Sequence, residues 1–220
     1  MQSFVILISG RGSNLAALLA AVAAGSLPAR IAAVLSNRAD AAGLAVAVAH
    51  GIPTVVLEHR QFPDRASFDS ALAEAIDGFA PDLVVLAGFM RILGSAFVQH
   101  YAGRMLNIHP SLLPSFPGLD THRRALEAGV RIHGCTVHFV DPLVDHGPIV
   151  MQAAVPVLAD DNEAQLAARV LAQEHRIYPL AIHQVLAGRL RLVAERVVCD
   201  SAQRADTALL APELLPSAPA

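Results

Sequence analysis

A chain of 220 residues, 54% hydrophobic and 16% charged, suffices for one sizeable α/β domain and is too short for two ordinary domains and a linker. A formal charge of −3 gives no basic footprint for nucleic acid, and no apolar run free of breakers or charge reaches the roughly 18 residues of a membrane-spanning helix. Cys135 and Cys199, the two cysteines, form neither a metal-ligand spacing nor a disulfide framework, and no basic stretch precedes the first apolar run, so a cytoplasmic protein is expected.

Phe4 to Ile8 predicts a buried first strand. Ser9-Gly10-Arg11-Gly12-Ser13-Asn14 then turns the chain, with Ser and Asn placed to cap the Ala- and Leu-rich run Leu15 to Ala24, which predicts a helix. Strand, glycine turn and helix together favour an anion, because backbone N–H groups and the positive end of the helix dipole face it. Arg30 to Ser36 reads as a second strand, Ala39 to His50 as a helix closed by Gly51, and Thr54 to Leu57 as a third strand. The βαβαβ alternation predicts an α/β fold with a doubly wound, mostly parallel sheet flanked by helices and a Rossmann-type amino-terminal half.

Asp64 is placed to cap a helix running to Ala80, where Pro81 ends it. Asp82 to Ala87 reads as a strand buried on both faces, followed by the unusually apolar loop Gly88 to Gly94. A short helix near Ala96 to Tyr101 leads to the strand at Met105. Beyond it, Leu119 to Ala128 reads as helical, and Ile132 to Val140 and Ile149 to Val157 as two longer strands. Asn162 to Leu186 predicts a long helix interrupted before Pro179, and Leu190 to Ala194 a last strand. One domain is expected over residues 1–198, divided into a phosphate-binding half, 1–103, and a catalytic half, 104–198. Residues 199–220, rich in proline and without periodicity, are expected to form a flexible tail.

The chemistry concentrates in Met105 to Gly118. Asn107 and His109 are two apart on a strand, so they project to the same face, and Pro110, Pro114 and Pro117 forbid regular structure afterwards. Open α/β sheets build sites at such strand ends. Histidine can hold or pass a proton near neutral pH, a neighbouring carboxylate such as Asp145 favours its charged form, and a carboxamide N–H suits a developing oxyanion. The set resembles acyl-transfer machinery without a nucleophile, since no G-x-S-x-G elbow is present.

At the glycine turn, N–H groups of Gly12, Ser13 and Asn14 suit a terminal phosphate. The third glycine of a dinucleotide fingerprint is missing, and Ser36-Asn37-Arg38 offers no acid for a ribose hydroxyl. Arg38 beside a 2′-phosphate keeps NADP open as an alternative. His133 and Cys135 share one strand face and His138 the other, which argues against metal. His122, Arg123 and Arg124 read as a solvated helix face, and Arg65 and Glu174 as ordinary surface charges.

Four stretches resemble the phosphoribosylglycinamide formyltransferase family. They are Ile8-Ser9-Gly10-Arg11-Gly12-Ser13-Asn14-Leu15, Ala87-Gly88-Phe89-Met90-Arg91-Ile92-Leu93, Leu106-Asn107-Ile108-His109-Pro110-Ser111-Leu112-Leu113-Pro114 with Phe116-Pro117-Gly118, and Asp145-His146-Gly147-Pro148-Ile149. The resemblance implies transfer of a formyl group from 10-formyltetrahydrofolate to glycinamide ribonucleotide, without metal, by a monomer or homodimer that engages neither nucleic acid nor membrane. It assigns Asn107, His109 and Asp145 as catalytic, and Gly12, Ser13, Asn14 and Glu174 to substrate phosphate and ribose. Folate contacts fall to Arg65, Met90, Arg91, Ile92, Leu93, Asn107 and the segment Asp141, Pro142, Leu143, Val144, Asp145. His146 departs from the small residue often found there. A formyltetrahydrofolate hydrolase and a methionyl-tRNA formyltransferase share the catalytic motifs; the expectation against them is the lack of an added regulatory or basic RNA-contacting domain.

Overall fold

Alternation along the first strand decides how the sheet is covered. In the computed structural model, which describes residues 1–199, Phe4, Ile6 and Ile8 of β1 (Ser3–Ile8) pack into one apolar layer and Val5 and Leu7 into the other. A strand apolar on both faces must be covered on both. One layer is closed by α1 (Ser13–Ala23), α2 (Ala42–Ala49) and α6 (Glu163–Leu186), the other by α3 (Arg65–Asp77) and α4 (Ser95–His100).

The other strands are β2 (Arg30–Ser36), β3 (Thr54–Val56), β4 (Leu83–Leu86), β5 (Met105–His109), β6 (Ile132–Phe139) and β7 (Ile149–Pro156); α5 (Thr121–Glu127) lies between β5 and β6. Strand order is β3-β2-β1-β4-β5-β6-β7. The first five in that order run parallel, and β6 is antiparallel to both β5 and β7. The order reverses between β1 and β4, and there the glycine turn meets the apolar loop: Ser9 N–H donates to the Gly88 carbonyl at 3.1 Å. Such a switch point is where open α/β sheets bind ligands.

Several local expectations change. The residue capping α1 is Gly12, in left-handed conformation (φ 79°) and without a side-chain cap bond, rather than Ser13 or Asn14. A Cβ at Gly12 would lie 2.8 Å from the Gly43 Cα, so glycine is required by close approach as well as by φ. Asp64 caps α3 as expected, accepting from Ser67 N–H at 2.7 Å. The helix starting at Ala39 begins instead at Ala42.

The predicted break before Pro179 is absent. α6 runs 24 residues through it, although proline removes the N–H that would bond the His175 carbonyl. Ile177, Tyr178, Ala181 and Ile182, all buried around it, hold the helix on the sheet. The last predicted strand, β8 (Leu190–Val193), is one arm of a hairpin whose partner β9 (Arg196–Cys199) was not anticipated. Apart from Cys199, which closes β9, the expected tail lies outside the described residues.

Tyr178 fastens α6 to the sheet: its hydroxyl, fully buried, faces the carbonyls of Leu86 on β4 at 2.8 Å and Leu106 on β5 at 3.2 Å. Removing that hydroxyl leaves two buried acceptors short of a donor. Tyr178→Phe is expected to lower unfolding stability by about 1–2 kcal/mol, read as a shift in the urea midpoint with an unchanged slope.

Candidate active site

The amino-terminal part of the site is a helix start with its backbone donors unused. The first helical bond of α1 runs from Ala16 N–H to Gly12 O, so the N–H groups ahead of it have no partner within the helix. Asn14, buried in the first turn, donates from Nδ2 to Glu174 Oε2 on α6 at 2.7 Å. Glu174 is therefore no surface charge; it is 7% exposed. Burial raises its carboxyl pKa, and the Asn14 bond partly offsets that rise. Arg38, the residue that kept NADP open, is forked onto both carboxylate oxygens of Asp40 at 2.9 and 2.6 Å.

The carboxyl end of β5 carries the second cluster. His109, 5% exposed, has Nδ1 at 3.3 Å from Asp145 Oδ2 and Nε2 at 3.0 Å from the Phe116 carbonyl. A carbonyl accepts only, so Nε2 donates to Phe116, and Nδ1 faces the Asp145 carboxylate at ion-pair distance. Asp145 Oδ2 also accepts the Gly118 N–H at 2.8 Å, so one carboxylate oxygen serves the histidine and the loop after β5 together. Asp145 takes φ 52°, a left-handed conformation that Asp tolerates better than most residues.

Asn107 faces β6. Its Nδ2 lies 3.1 Å from His138 Nε2, while His138 Nδ1 lies 2.8 Å from the Phe139 carbonyl. A carbonyl accepts only, so His138 carries its proton on Nδ1 and accepts from Asn107 through Nε2. Burial lowers the His138 pKa, which keeps the ring neutral and fit to accept. The amide orientation of Asn107 follows, with its second N–H turned away from His138.

The proline-rich loop is pinned from β6 and β7. Thr136 Oγ1 donates to the Ser111 carbonyl at 2.7 Å and accepts from Leu113 N–H at 3.0 Å, and Gln152 Nε2 reaches both Leu113 O and Thr136 Oγ1 at 2.9 Å. Behind it, His133 stands edge-on to Phe116 and His122. His122 is thus half-buried rather than solvated, and burial drives the His133 pKa down to about 4. Among the described residues, no group of three or more His, Cys, Asp or Glu could hold a metal ion.

Two apolar loops complete the arrangement. Met90, Ile92, Leu143 and Val144 are each more than half exposed. Pro142 is exposed too, and Asp141 accepts from Leu143 N–H at 2.9 Å and pairs with His146 Nδ1 at 2.9 Å. Arg65 is exposed at the start of α3, and Arg91 lies over the Phe68 ring at 4.4 Å. Leu93, at 8% exposure, is packed into the core, so its side chain is not offered to a ligand.

A sequence profile described as formyl transferase matches residues 2–182. The chain belongs to the formyl transferase family. Within that family it is 54% identical over 191 residues to phosphoribosylglycinamide formyltransferase of Escherichia coli, covering 87% of this chain and 90% of that one. It is 49% identical over 194 residues to the human trifunctional purine biosynthetic protein adenosine-3, covering 88% of this chain and 19% of that protein. The solved phosphoribosylglycinamide formyltransferase of Coxiella burnetii superposes with a TM-score of 0.88 at 49% identity, over 90% of this chain and 93% of that one.

This formyl transferase fold brings Asn107, His109 and Asp145 together, and separately Asn14 with Glu174. His138 was missed as a neighbour of Asn107. Its face was legible from strand alternation, but the antiparallel register placing it opposite Asn107 was not.

The buried Glu174 carboxyl has a testable signature. Its folded pKa lies above the ordinary value of 4.5, so folding favours the neutral acid and stability falls as pH rises through the folded pKa. Glu174→Gln is therefore expected to melt higher than the parent at pH 7, with the gap closing below the ordinary carboxyl value. Melting curves of both proteins across pH check this.

Proposed function

We propose that this chain transfers the formyl group of 10-formyltetrahydrofolate to the glycine amine of 5-phosphoribosylglycinamide, giving 5-phosphoribosyl-N-formylglycinamide and tetrahydrofolate in purine biosynthesis. The observation that carries the reading is the cluster of Asn107, His109 and Asp145 at the end of β5, in a chain 54% identical to an enzyme named for this transfer. Such a cluster can steady an acyl-transfer transition state but has nothing to attack with, so the attacking atom belongs to a substrate. The cytoplasm is the compartment this reading implies.

Gly12, Ser13 and Asn14 are proposed to hold the substrate phosphate, a role suited to unused N–H groups at a helix start, and Glu174 the ribose hydroxyls. The exposed apolar side chains Met90, Ile92, Leu143 and Val144, with Pro142, form the wall for the pteridine, with Arg65, Arg91, Asp141 and backbone around Leu93 supplying polar contacts. Apolar groups left in water beside polar anchors fit an aromatic bicyclic ligand.

In the reaction, the amine attacks the formyl carbon and a C–N bond forms. Charge develops on the formyl oxygen, where the free N–H of Asn107 and the His109 imidazolium stabilise it. His138 supports this by holding the Asn107 amide in one orientation. The bond from the formyl carbon to the folate nitrogen then breaks, and the proton lost by the amine ends on that nitrogen. Asp145 keeps His109 aligned throughout.

The assay follows tetrahydrofolate release from 10-formyltetrahydrofolate with and without glycinamide ribonucleotide. Release that requires the ribonucleotide supports the transferase; equal release without it selects the hydrolase. His109→Ala and Asp145→Asn are each expected to reduce kcat by on the order of 10² or more with far-ultraviolet circular dichroism unchanged. Near-normal turnover in both would refute the assignment.

A further inference from the structure

The loop after β4 exposes large apolar side chains beside the site, with Met90 69% and Ile92 55% exposed. Greasy side chains in water do not hold a loop in shape, so something beneath must. At its near end, Met90 N–H donates to Ser9 Oγ at 2.8 Å, and Ser9 in turn donates to Asn37 Oδ1 at 2.6 Å. At its far end, Gly94 N–H donates to Asp69 Oδ2 at 2.7 Å.

Asp69 is an odd residue for its place. It lies on the packed face of α3, 6% exposed, between Phe68 and Leu72 of the core. Its Oδ1 has no hydrogen-bond partner, and neither has the buried Nε of Arg91, whose guanidinium covers the neighbouring Phe68 ring. Burial raises the Asp69 carboxyl pKa, opposed by the Gly94 N–H and the charges of Arg91 and Arg65. A buried acid satisfied by a single backbone donor is a costly way to fill a helix face. The glycine is matched to it: a Cβ at Gly94 would come within 2.9 Å of Asp69 Oδ2.

We propose that Asp69 is a positioning residue for the folate slot: through Gly94 N–H it fixes the far end of Met90 to Leu93 and so sets the shape of the wall that receives the pteridine. This rests on the folate reading above. Because Arg65 is one turn earlier on the same helix, α3 offers a cation to the ligand and an acceptor to the loop from one rigid element. Asp69 touches no substrate and acts only through the loop.

Steady-state kinetics on the full chain tests it. Asp69→Ala is expected to raise KM for 10-formyltetrahydrofolate by about tenfold, with KM for glycinamide ribonucleotide and kcat close to the parent. Asp69→Asn keeps an oxygen acceptor and is expected to restore the folate KM. A merely structural role would lower the melting temperature without this split between substrates. A folate KM within about twofold of the parent, a parallel rise in both KM values, or an Asp69→Asn variant as impaired as Asp69→Ala overturns the proposal. If the alanine variant does not fold, Asp69→Ser carries the same comparison. Should the parent show no ribonucleotide-dependent release, the activity reading falls by itself, and tetrahydrofolate titration of parent and variant still decides the clamp: equal Kd values overturn it.

Discussion

The Asp145 carboxylate is the contact on which the arrangement at the carboxyl end of β5 depends. It faces His109 and accepts from Gly118 through the same oxygen, and its other oxygen lies 3.8 Å from His138 Nε2. The end of β5 with the proline-rich loop that follows it, and the remote β6–β7 connection that supplies Asp145, therefore meet at one carboxylate. Inside a half-buried site a hydrogen bond to a charged acceptor is stronger than one between neutral groups. The left-handed backbone at Asp145 costs on the order of 1–3 kcal/mol, and these bonds oppose it.

Sheet topology explains why such a site forms here and not at another edge. Five parallel strands bring the loops after β1, β2, β3, β4 and β5 to one side, and the reversal of strand order opens the crevice between β1 and β4. Antiparallel β6 then returns beside β5 and sets His138 opposite Asn107. A sixth parallel strand would have brought a different register and lost the acceptor that fixes the Asn107 amide. The switch in strand direction is thus part of the site's chemistry.

How much of this could be read from residues alone depended on range. β1, β2 and β4 were legible because a strand buried on both faces is an unbroken apolar run, and Asp64 because a cap acts within one turn. Asn107 and His109 were legible because two-residue alternation fixes their common face. Glu174 and His122 look solvated in sequence because a polar residue on a helix carries no local sign of burial, and their partners, Asn14 and His133, belong to other elements. Pro179 predicts a break because proline's local cost is visible in sequence and the tertiary packing that overrides it is not. Arg38 suits a 2′-phosphate on residue type alone, and its fork to Asp40 two residues on is invisible without coordinates.

The bond between Asn14 and Glu174 joins residues 160 positions apart, and it has a consequence for how the protein is made. As the chain leaves the ribosome, its amino-terminal strands and helices emerge first and can begin to pair. The buried amide of Asn14 meets its acid only once the final long helix has been synthesised and has docked. A nascent chain stalled before residue 174 would carry the glycine turn without the acid that holds Asn14, so the first turn of α1 reaches its final form late in biogenesis, as a mark of completed folding.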